Sequence, residues 1–267
     1  MKWSAIITTY NSGSVIGRAL ESILSLEPDE KPVDIVVVDN DSKDHTAKVL
    51  QDYADSVKFV RNETNLGLSK ANNIGAGQAR GDSLFFLNPD TEVLPGAVRT
   101  LFSFQESHPR AALLGPGMED WKGVLQPTAR TWPTPPVIAA RRTFIGGTPA
   151  GARLSESHLR SYHRENSPVR PHWLVGAALW LTPEGRKRVG LMSESYFLYF
   201  EDVEWCHRAW RRGMEVWYVP EARIRHVCSR ESSRRKGALG LHLRSMTRFL
   251  LTHPLTALGL GPGGGDE

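Results

Sequence analysis

Short apolar runs alternate with amphipathic stretches along the first 115 residues. Apolar runs typical of buried strands occur at 4–9, 34–38, 57–60 and 84–87. Between them, residues 15–24 repeat apolar side chains at helical spacing, and 42–53 and 69–79 also favour helices. This alternation at short spacing predicts an α/β fold, with a Rossmann-like, mostly parallel sheet and helices on both of its faces.

Beyond residue 115 the pattern is less regular. Prolines are scattered among Arg, Gly and Ser from 115 to 170, which predicts a long segment of sparse regular structure, either a lid or binding loop or a partly disordered stretch. Strands are predicted at 173–181 and 215–219, with a helix at 203–212 between them. The chain then has a leucine-rich helical pattern and closes with glycine-rich residues, 259–267, of disordered composition.

Composition narrows the setting of this fold. With 267 residues and 40% hydrophobic content the chain can bury a core, and its two cysteines, Cys206 and Cys228, require no oxidising compartment. The N-terminus lacks the features of a signal peptide, and no apolar run approaches the roughly 20 residues needed to span a bilayer. We therefore expect a cytoplasmic protein.

The net charge of +4 is unevenly distributed. Residues 1–100 carry 10 Lys and Arg against 14 Asp and Glu, whereas the rest of the chain carries 23 against 15. The basic runs of the second part, Arg141-Arg142, Arg211-Arg212 and Arg234-Arg235-Lys236, are either solvated surface or sites that attract an anionic substrate or an anionic membrane face. Nucleic acid is not expected as a partner, because no nucleic-acid-binding signature accompanies these runs.

Acidic residues lie at or just beyond predicted strand ends, where open α/β sheets bind ligands: Asp39, Asp41, Asp90, Glu201 and Asp202. Asp39 could accept a hydrogen bond from a nucleotide, and Asp90 could bind a hard cation. The spacing alone does not choose between 39–41 and 88–90 as the cation site. Glu201 and Asp202 follow the apolar run 196–200, which could raise a carboxyl pKa toward the value of a general base. The alternative is that both acids only begin the next helix.

Five blocks of sequence, in order along residues 3–228, resemble an inverting family 2 glycosyltransferase and are similar to its bacterial rhamnosyltransferase-like members. The blocks are Ile6-Ile7-Thr8-Thr9-Tyr10-Asn11, Val37-Val38-Asp39-Asn40-Asp41-Ser42, Asn65-Leu66-Gly67-Leu68-Ser69-Lys70-Ala71-Asn72-Asn73, Leu87-Asn88-Pro89-Asp90 and Phe197 to Asp202. Five blocks in the correct order make a chance similarity improbable. The resemblance implies one GT-A type domain over 1–232, with a donor half (1–115) and an acceptor half (116–232), followed by a basic, amphipathic C-terminal helix at 233–258.

The resemblance also implies a nucleotide-sugar site. Asp39 matches the acid that recognises the nucleotide base, and Asp41 and the segment Thr8, Thr9, Tyr10 and Asn11 belong to the same pocket. Lys70, Asn72 and Asn73 match the block that contacts the nucleotide or its diphosphate. Asn88, Pro89 and Asp90 stand where the family has its Asp-x-Asp motif, and Gly176 and Ala177 are expected to leave room for the sugar.

The same resemblance assigns the metal and the catalytic base. Asp90 is the implied ligand of Mn²⁺ or Mg²⁺, and His226 matches a histidine that completes the metal site. Asn88 replaces the first aspartate of the motif, which leaves one anionic ligand there. Asp202 matches the catalytic base, with Glu201 as its neighbour. The implied reaction is attack of an acceptor hydroxyl, deprotonated by Asp202, on the anomeric carbon with inversion, while a cation offsets charge on the leaving diphosphate.

The expected protein is an inverting, metal-dependent hexosyltransferase of cell-surface polysaccharide or glycoconjugate synthesis. Its leading donor is dTDP-rhamnose, with a UDP-sugar as the other option, and its acceptor is a saccharide or a lipid-linked glycan. Peripheral contact of the C-terminal helix with the inner face of an anionic membrane, and a homodimer, both stay open.

Two alternatives are weighed against this function. A nucleotidyltransferase is disfavoured because the first strand is followed by Thr-Tyr-Asn-Ser and not by a basic, glycine-rich phosphate loop. A non-catalytic nucleotide-sugar or glycan-binding protein would not need Asp90, Asp202 and His226 together.

Overall fold

The computed structural model describes residues 1–162, 167–226 and 237–264. Its strands are β1 (Trp3–Thr9), β2 (Asp34–Asp39), β3 (Lys58–Arg61), β4 (Ser83–Leu87), β5 (Thr91–Val93), β6 (Ala111–Glu119), β7 (Ala129–Arg130), β8 (Trp173–Leu174), β9 (Ala178–Leu181) and β10 (Glu215–His226). Its helices are α1 (Ile16–Leu24), α2 (Thr46–Gln51), α3 (Leu68–Gln78), α4 (Ala97–Ser107), α5 (Pro135–Arg142), α6 (Pro149–Arg160), α7 (Pro183–Arg188), α8 (Glu201–Arg211), α9 (Ala238–Thr252) and α10 (Pro254–Ala257), with a 3-10 turn at Phe144–Gly147.

Eight strands form one sheet in the order β3-β2-β1-β4-β9-β6-β10-β5. The β3-β2-β1-β4 part is parallel throughout, and β6 and β10 are also parallel neighbours. β9 runs antiparallel to β4 and β6, and β5 runs antiparallel to β10 at the sheet edge. The predicted mostly parallel α/β fold is therefore confirmed, while β7 and β8 form a separate two-stranded sheet.

The strand β4 is apolar without alternation because both of its faces are buried. Phe85 packs on one face against Trp3 and Trp180, with ring centroids 6.1 and 5.6 Å away. Phe86 packs on the other face against Trp205, at 5.3 Å. Each of these side chains contributes roughly 1.5–3 kcal/mol by leaving water. The strand is thus firmly anchored, and residues 88–90 extend from a fixed point.

The expectation of sparse regular structure between 115 and 170 is wrong for the described part of that segment. β6 continues through Gly115-Pro116-Gly117, because the two glycines let neighbouring segments of the same chain approach closely. A Cβ at Gly115 would lie 2.7 Å from the Leu174 side chain, and one at Gly117 would lie 2.6 Å from the carbonyl oxygen of Pro220. Glycine in this strand therefore marks close backbone packing and not the end of the strand.

Prolines of the same segment begin helices. Pro135 is near the start of α5, and Pro149 is the first residue of α6. Thr148 caps α6, since its hydroxyl accepts a hydrogen bond from Gly151 N–H at 3.1 Å. Proline is favourable at a first helical position, because its missing N–H would have no helical partner there. A proline-rich composition consequently concealed two helices.

The two strands predicted in the second half differ from the structure, and a third apolar run forms no strand. The strand expected at 173–181 is divided into β8 and β9 by residues 175–177. The apolar run 196–200 forms no strand: Tyr199 and Phe200 have left-handed φ angles of 68° and 66°, and the chain turns directly into α8. β10, expected to end at 219, continues to His226 beside β5, a strand that the sequence pattern did not indicate.

The C-terminal helix α9 packs on the domain. It buries Phe249 completely, with Phe200 and Trp132 as ring neighbours at 5.6 and 6.4 Å. The helical segment predicted at 233–258 is interrupted at His253, because the residue before Pro254 is disfavoured in helical conformation. Residues 233–236, 265–267 and Cys228 lie outside the described residues, and 259–264 form neither helix nor strand. Within the described ranges, no helix is long and apolar enough to cross a membrane.

Candidate active site

Asp39 lies at the carboxyl end of β2 and is completely buried. Its Oδ1 accepts a hydrogen bond from Ser42 N–H at 3.0 Å, while its Oδ2 has no hydrogen-bond partner among the described residues. The Nε of Arg61, which lies opposite Asp39 in the pairing of β2 with β3, is 3.8 Å from Oδ2. A buried polar atom without a hydrogen bond lowers the stability of the fold by about 1–3 kcal/mol. Oδ2 is therefore well placed to accept a hydrogen bond from a bound ligand.

The loops after β1 and β2 are joined around Asp39 by hydrogen bonds. Asn11 and Asp41 both have left-handed backbones, with φ angles of 54° and 71°. Asn11 N–H donates to Ser42 Oγ at 2.8 Å, and Asn11 Oδ1 accepts from Lys43 N–H at 2.7 Å. Asp41 forms an ion pair with Lys43 Nζ at 2.5 Å. The Asn11 side chain is therefore used to hold the two loops together, and the Asp41 side chain pairs within its own loop.

The side chains of Asn72 and Asn73 are engaged inside the protein. Thr8 Oγ1 donates to Asn72 Oδ1 at 2.6 Å, and Asn72 Nδ2 lies 3.4 Å from the sulfur of Met192. Asn73 binds the backbone of Met192 twice, through Nδ2 to the carbonyl oxygen at 2.9 Å and through Oδ1 from the N–H at 3.1 Å. Lys70, in the first turn of α3, is exposed instead, so its ammonium group is accessible to a ligand.

Gly67 brings the block 65–73 against residues 196–200, the segment that precedes Glu201 and Asp202. It has a φ angle of 84°, and a Cβ there would lie 2.5 Å from the carbonyl oxygen of Phe197. The next residue, Leu68, donates its N–H to the same oxygen at 2.7 Å. Only glycine fits this close approach at a positive φ angle. The block 65–73, expected to contact the nucleotide, therefore also positions residues 196–200.

The pairing of β5 with β10 brings Asp90 and His226 together, because it places His226 opposite Thr91. His226 Nε2 lies 3.6 Å from Asp90 Oδ1. Two ligands of one Mn²⁺ or Mg²⁺ ion lie about 3 to 3.5 Å apart, since each metal–ligand bond is about 2.1 Å long. The spacing is close to what a shared cation needs. Among the described residues, no group of three or more His, Cys, Asp and Glu could hold a metal.

Gln126 fixes the tautomer of His226. Its Nε2 donates to the His226 carbonyl oxygen at 3.1 Å, and its Oε1 lies 3.2 Å from His226 Nδ1. With the amide in this orientation Nδ1 donates to Oε1, so Nε2 is the ring atom that faces Asp90. A nitrogen and an oxygen at this spacing can share a proton or a cation. An imidazole oriented through its other nitrogen is also typical of metal ligands, so the pair fits a divalent cation.

Asp202 lies in the first turn of α8, beside the break between β8 and β9. Its Oδ2 accepts from Gly176 N–H at 2.9 Å, and its Oδ1 accepts from Val203 N–H at 2.8 Å. Gly176 thus lies against Asp202, and a Cβ added to it would be 3.1 Å from the Asp202 Cβ. On the other side, the carbonyl oxygen of Ala177 accepts from Asn88 N–H at 2.8 Å. The backbone of Gly176 and Ala177 therefore connects Asp202 with Asn88, two residues before Asp90.

Glu201 and Asp202 differ in the groups that surround their carboxyl oxygens. Glu201 is buried, and its Oε2 has no hydrogen-bond partner within the described ranges. Burial, followed by the charge of Asp202, raises the pKa of Glu201 to about 8. Burial also raises the pKa of Asp202, but the N–H groups that it accepts and the positive charge of Arg130 oppose that change. Asp202 therefore has two N–H donors and a nearby positive charge that favour its carboxylate form, which makes it the better candidate of the two for a general base. Both acids also occupy the first turn of α8, so the predicted helix start is realised as well.

Residues 4–162, more than half of the chain, match the family model described as Glycosyl transferase family 2. The chain belongs to this family. A relative from Mycobacterium tuberculosis (strain CDC 1551 / Oshkosh), N-acetylglucosaminyl-diphospho-decaprenol L-rhamnosyltransferase, is 30% identical over 258 residues, which cover 92% of this chain and 82% of the relative. The low-salt glycan biosynthesis hexosyltransferase Agl10 of Haloferax volcanii is 24% identical over 257 residues, covering 94% and 76%. The protein is accordingly a glycosyltransferase of an inverting family, as the sequence predicted.

Solved glycosyltransferases share the fold of this family 2 member. The structure of GalNAc-T7 with UDP, GalNAc and Mn²⁺ superposes with a TM-score of 0.69 at 21% identity, covering 94% of this chain and 47% of that one. The mannosyltransferase PcManGT from Pyrobaculum calidifontis, in complex with GDP-Man and Mn²⁺, gives 0.60 at 15% identity, covering 93% and 64%. The chain thus spans about half to two thirds of these proteins, and the likeness establishes the GT-A fold.

Three residues that lie beside the candidate site residues were missed by sequence reasoning: Arg61, Gln126 and Arg130. Arg61 follows directly on the predicted strand 57–60, so its place beside Asp39 could have been inferred from the parallel pairing of that strand. Gln126 and Arg130 lie in the segment that was expected to be irregular, and no periodic signal marks them. Their roles depend on contacts across the fold, with His226 and near Asp202.

Proposed function

We propose that this glycosyltransferase moves a hexose from a nucleotide-diphosphate sugar to a hydroxyl group of a lipid-linked glycan, in a single displacement with inversion at the anomeric carbon. The observation that carries the proposal is the short hydrogen-bonded connection between Asp202, the candidate base, and the pair of Asp90 and His226, whose spacing suits a divalent cation. Gly176 donates a hydrogen bond from its N–H to Asp202. The carbonyl oxygen of the adjacent Ala177 accepts one from the N–H of Asn88, two residues before Asp90. A single displacement requires the general base and the cation site at one edge of the sheet, with the sugar between them.

The donor half of the proposal rests on Asp39. Its buried Oδ2, which accepts no hydrogen bond from the described residues, suits a base that offers an N–H, as both uracil and thymine do. The leading donor is dTDP-rhamnose, because the M. tuberculosis relative is named an L-rhamnosyltransferase. A UDP-sugar is the second option, because Staphylococcus aureus TarS, with a TM-score of 0.58, was solved with UDP-GlcNAc. The exposed Lys70 is available to the diphosphate.

Asp202 takes the role of general base. It accepts the proton of the acceptor hydroxyl, while the N–H groups of Gly176 and Val203 hold its carboxylate in one orientation. Burial raises the pKa of its neighbour Glu201 to about 8, which favours the protonated acid there at neutral pH, so in this proposal Asp202 carries the charge of the pair. The positive charge of Arg130 opposes the rise in the pKa of Asp202 and so favours its carboxylate form.

Asp90 and His226 would hold Mn²⁺ or Mg²⁺, and the nitrogen ligand leans toward Mn²⁺. When bound, such a cation would offset the negative charge that develops on the leaving diphosphate. GalNAc-T7 and PcManGT were both solved with Mn²⁺, which supports this choice.

The acceptor proposal rests on relatives. The M. tuberculosis relative is named for a diphospho-decaprenol substrate, and a Campylobacter jejuni relative, 35% identical over 104 residues, is named a GalNAc(5)-diNAcBac-PP-undecaprenol beta-1,3-glucosyltransferase. A lipid-linked glycan is therefore the acceptor class to test first, with the enzyme acting at the inner face of the membrane.

Two measurements test the proposal. A thermal-shift screen over nucleotide sugars with Mn²⁺ identifies the donor, since a ligand at 100 times its Kd stabilises the folded state by about 2.7 kcal/mol. Transfer from that donor to a polyprenyl-diphosphate-linked acceptor is then followed, and the anomeric configuration of the product is assigned by NMR. Inverted product is expected. Retained configuration, or cleavage of the donor without transfer to any hydroxyl acceptor, would contradict the single displacement.

A further inference from the structure

The outer face of α9 carries two parallel rows of side chains that the protein itself leaves uncovered. Leu239, Leu243 and Leu251 are 46 to 78% exposed, and their spacing of four and eight residues places them in one row along the helix. Arg244 and Arg248 are also exposed and lie one residue further along, in the adjacent row. A leucine row therefore runs beside an arginine row on the outer face of this helix.

The opposite face of α9 is fixed to the domain. Phe249 is completely buried, and the ring of His242 lies 5.4 Å from that of Phe200. Ser245 Oγ donates to the carbonyl oxygen of Leu198 at 2.9 Å. The helix cannot turn its leucines inward without leaving the segment that leads into Glu201. Their exposure is therefore a property of the packed helix and not of a loosely attached end.

The exposed leucines continue beyond α9. Leu255, Leu258 and Leu260 are 62 to 74% exposed. Single exposed leucines are ordinary on a protein surface, but six of them within 239–260 are a local concentration of exposed apolar side chains, a feature typical of interaction sites.

The charge of this segment is of one sign. From Ser232 to Gly265 the chain contains no Asp or Glu, while it contains Arg244 and Arg248 and, outside the described residues, the run Arg234-Arg235-Lys236. The occupant of the surface must therefore be apolar within and negatively charged at its boundary.

We propose that this surface, formed by the leucine row of α9 with Leu255, Leu258 and Leu260, docks on an anionic phospholipid membrane. The leucines enter the boundary of the acyl chains, and Arg244 and Arg248 bind the headgroup phosphates, as in interfacial amphipathic helices. A second copy of this chain is a poorer occupant. A two-fold contact would bring two arginine rows together with no acidic residue of the same segment to pair with them. The inference goes beyond sugar transfer and does not depend on it.

The test is cosedimentation of the full chain with vesicles. Vesicles that contain phosphatidylglycerol should retain the protein at low salt and release it at high salt, and pure phosphatidylcholine vesicles should retain much less. The variant Leu239→Ser/Leu243→Ser/Leu251→Ser should bind at least about tenfold more weakly. Arg244→Gln and Arg248→Gln should each weaken binding about fivefold at low salt.

Matched controls are available elsewhere on the protein. Val124→Ser changes an exposed apolar residue outside the docking surface, and Lys48→Gln/Lys187→Gln removes two exposed charges of the same sign. Both controls should bind as the wild type does, and circular dichroism checks that every variant is folded. The proposal is overturned if the wild type does not bind anionic vesicles, if it binds neutral vesicles equally well, or if the leucine variant retains binding. Light scattering that shows a dimer lost in the leucine variant, without vesicle binding by the wild type, would assign the surface to a second copy instead. Sugar transfer to a soluble acceptor is measured separately, so failure here leaves the proposed function untouched.

Discussion

Replacing Asp202 with Asn removes the proposed base while preserving its shape. Asn retains one oxygen that can accept from Gly176 N–H, but its NH₂ group then faces Val203 N–H, so one of the two backbone hydrogen bonds is lost. An N–H left without an acceptor costs about 1–3 kcal/mol. Loss of the charge on Asp202 offsets part of this cost, because that charge is one cause of the raised pKa of Glu201. The variant should fold, with a free energy of unfolding lowered by no more than about 2 kcal/mol.

The effect on catalysis should be much larger than the effect on stability. General-base catalysis contributes typically about 10²–10⁴-fold, which corresponds to roughly 3–5.5 kcal/mol in the activation barrier. Asp202 touches neither Asp39 nor the pair of Asp90 with His226 through any of the hydrogen bonds described above. We therefore expect kcat of Asp202→Asn to fall at least about a hundredfold, while its affinity for UDP or dTDP stays nearly unchanged.

Steady-state transfer kinetics and calorimetric nucleotide titration check this expectation. Glu201→Gln is the matched control, since it is isosteric and burial raises the pKa of Glu201 to about 8, which favours its neutral form at pH 7. The control should keep kcat within about tenfold of the wild type. The reasoning is refuted if Asp202→Asn keeps kcat within that range, or if Glu201→Gln is the inactive variant. Loss of nucleotide affinity in Asp202→Asn would identify Asp202 as a donor contact.

Other consequences concern pH, the cation and the nucleotide pocket. Folding raises the pKa of Glu201 from 4.5 to about 8, so its contribution to the free energy of unfolding is complete below about pH 4.5 and is lost as the pH rises through 8. In urea unfolding from pH 6 to 8, the wild type should therefore lose up to about 1.4 kcal/mol per pH unit more than Glu201→Gln, and parallel curves would contradict the shift. A chelator should abolish sugar transfer, and added Mn²⁺ or Mg²⁺ should restore it. Mn²⁺ should also bind more tightly when UDP is present. Full activity in the presence of chelator would exclude Asp90 and His226 as a metal site. Asp39→Asn should weaken UDP and dTDP binding about tenfold in calorimetry, with kcat at saturating donor little changed, and unaltered affinity would remove Asp39 from the base pocket.

The donor side of the fold was predictable because its strands are buried on both faces. β4 is uniformly apolar since Phe85 and Phe86 point into different aromatic clusters, and that uniformity is visible in the sequence. The parallel order of β1, β2 and β4 then places Asp39 and the end of β4 at one edge of the sheet. Local pattern and burial agree in this part of the chain, so the sequence predicted it well.

The segment before Glu201 could not be predicted, because distant contacts determine its conformation. Five apolar or aromatic residues at 196–200 are typical of a strand, yet Tyr199 and Phe200 are left-handed. Leu68 N–H binds the carbonyl oxygen of Phe197, and Ser245 Oγ binds that of Leu198. These partners lie far away in sequence, and no local pattern contains them.

The far end of β10 was hidden for a different reason. A proline such as Pro220 normally predicts the end of a strand. Here a register shift between Val219 and Arg223 accommodates the proline, and strand pairing resumes up to His226. β5, its antiparallel neighbour, is only three residues long and too short to be recognised. The proximity of Asp90 to His226 depends on both features. Only the family resemblance suggested that Asp90 and His226 lie close together, and the joint role of these two residues as metal ligands stays a prediction.

Asn88 shows how the site accommodates a single carboxylate. The structural role of this residue is carried by its backbone: its N–H donates to Ala177, and its carbonyl oxygen accepts from Thr91 N–H at 3.2 Å and from Thr91 Oγ1 at 2.7 Å. These bonds do not depend on the side chain, so Asn fits without displacing Asp90. Asp90 then supplies one negative charge and His226 none, and a divalent cation between them would keep a net positive charge for the donor diphosphate to neutralise. Cation and donor should therefore strengthen each other's binding, because coupling between two ligands is reciprocal.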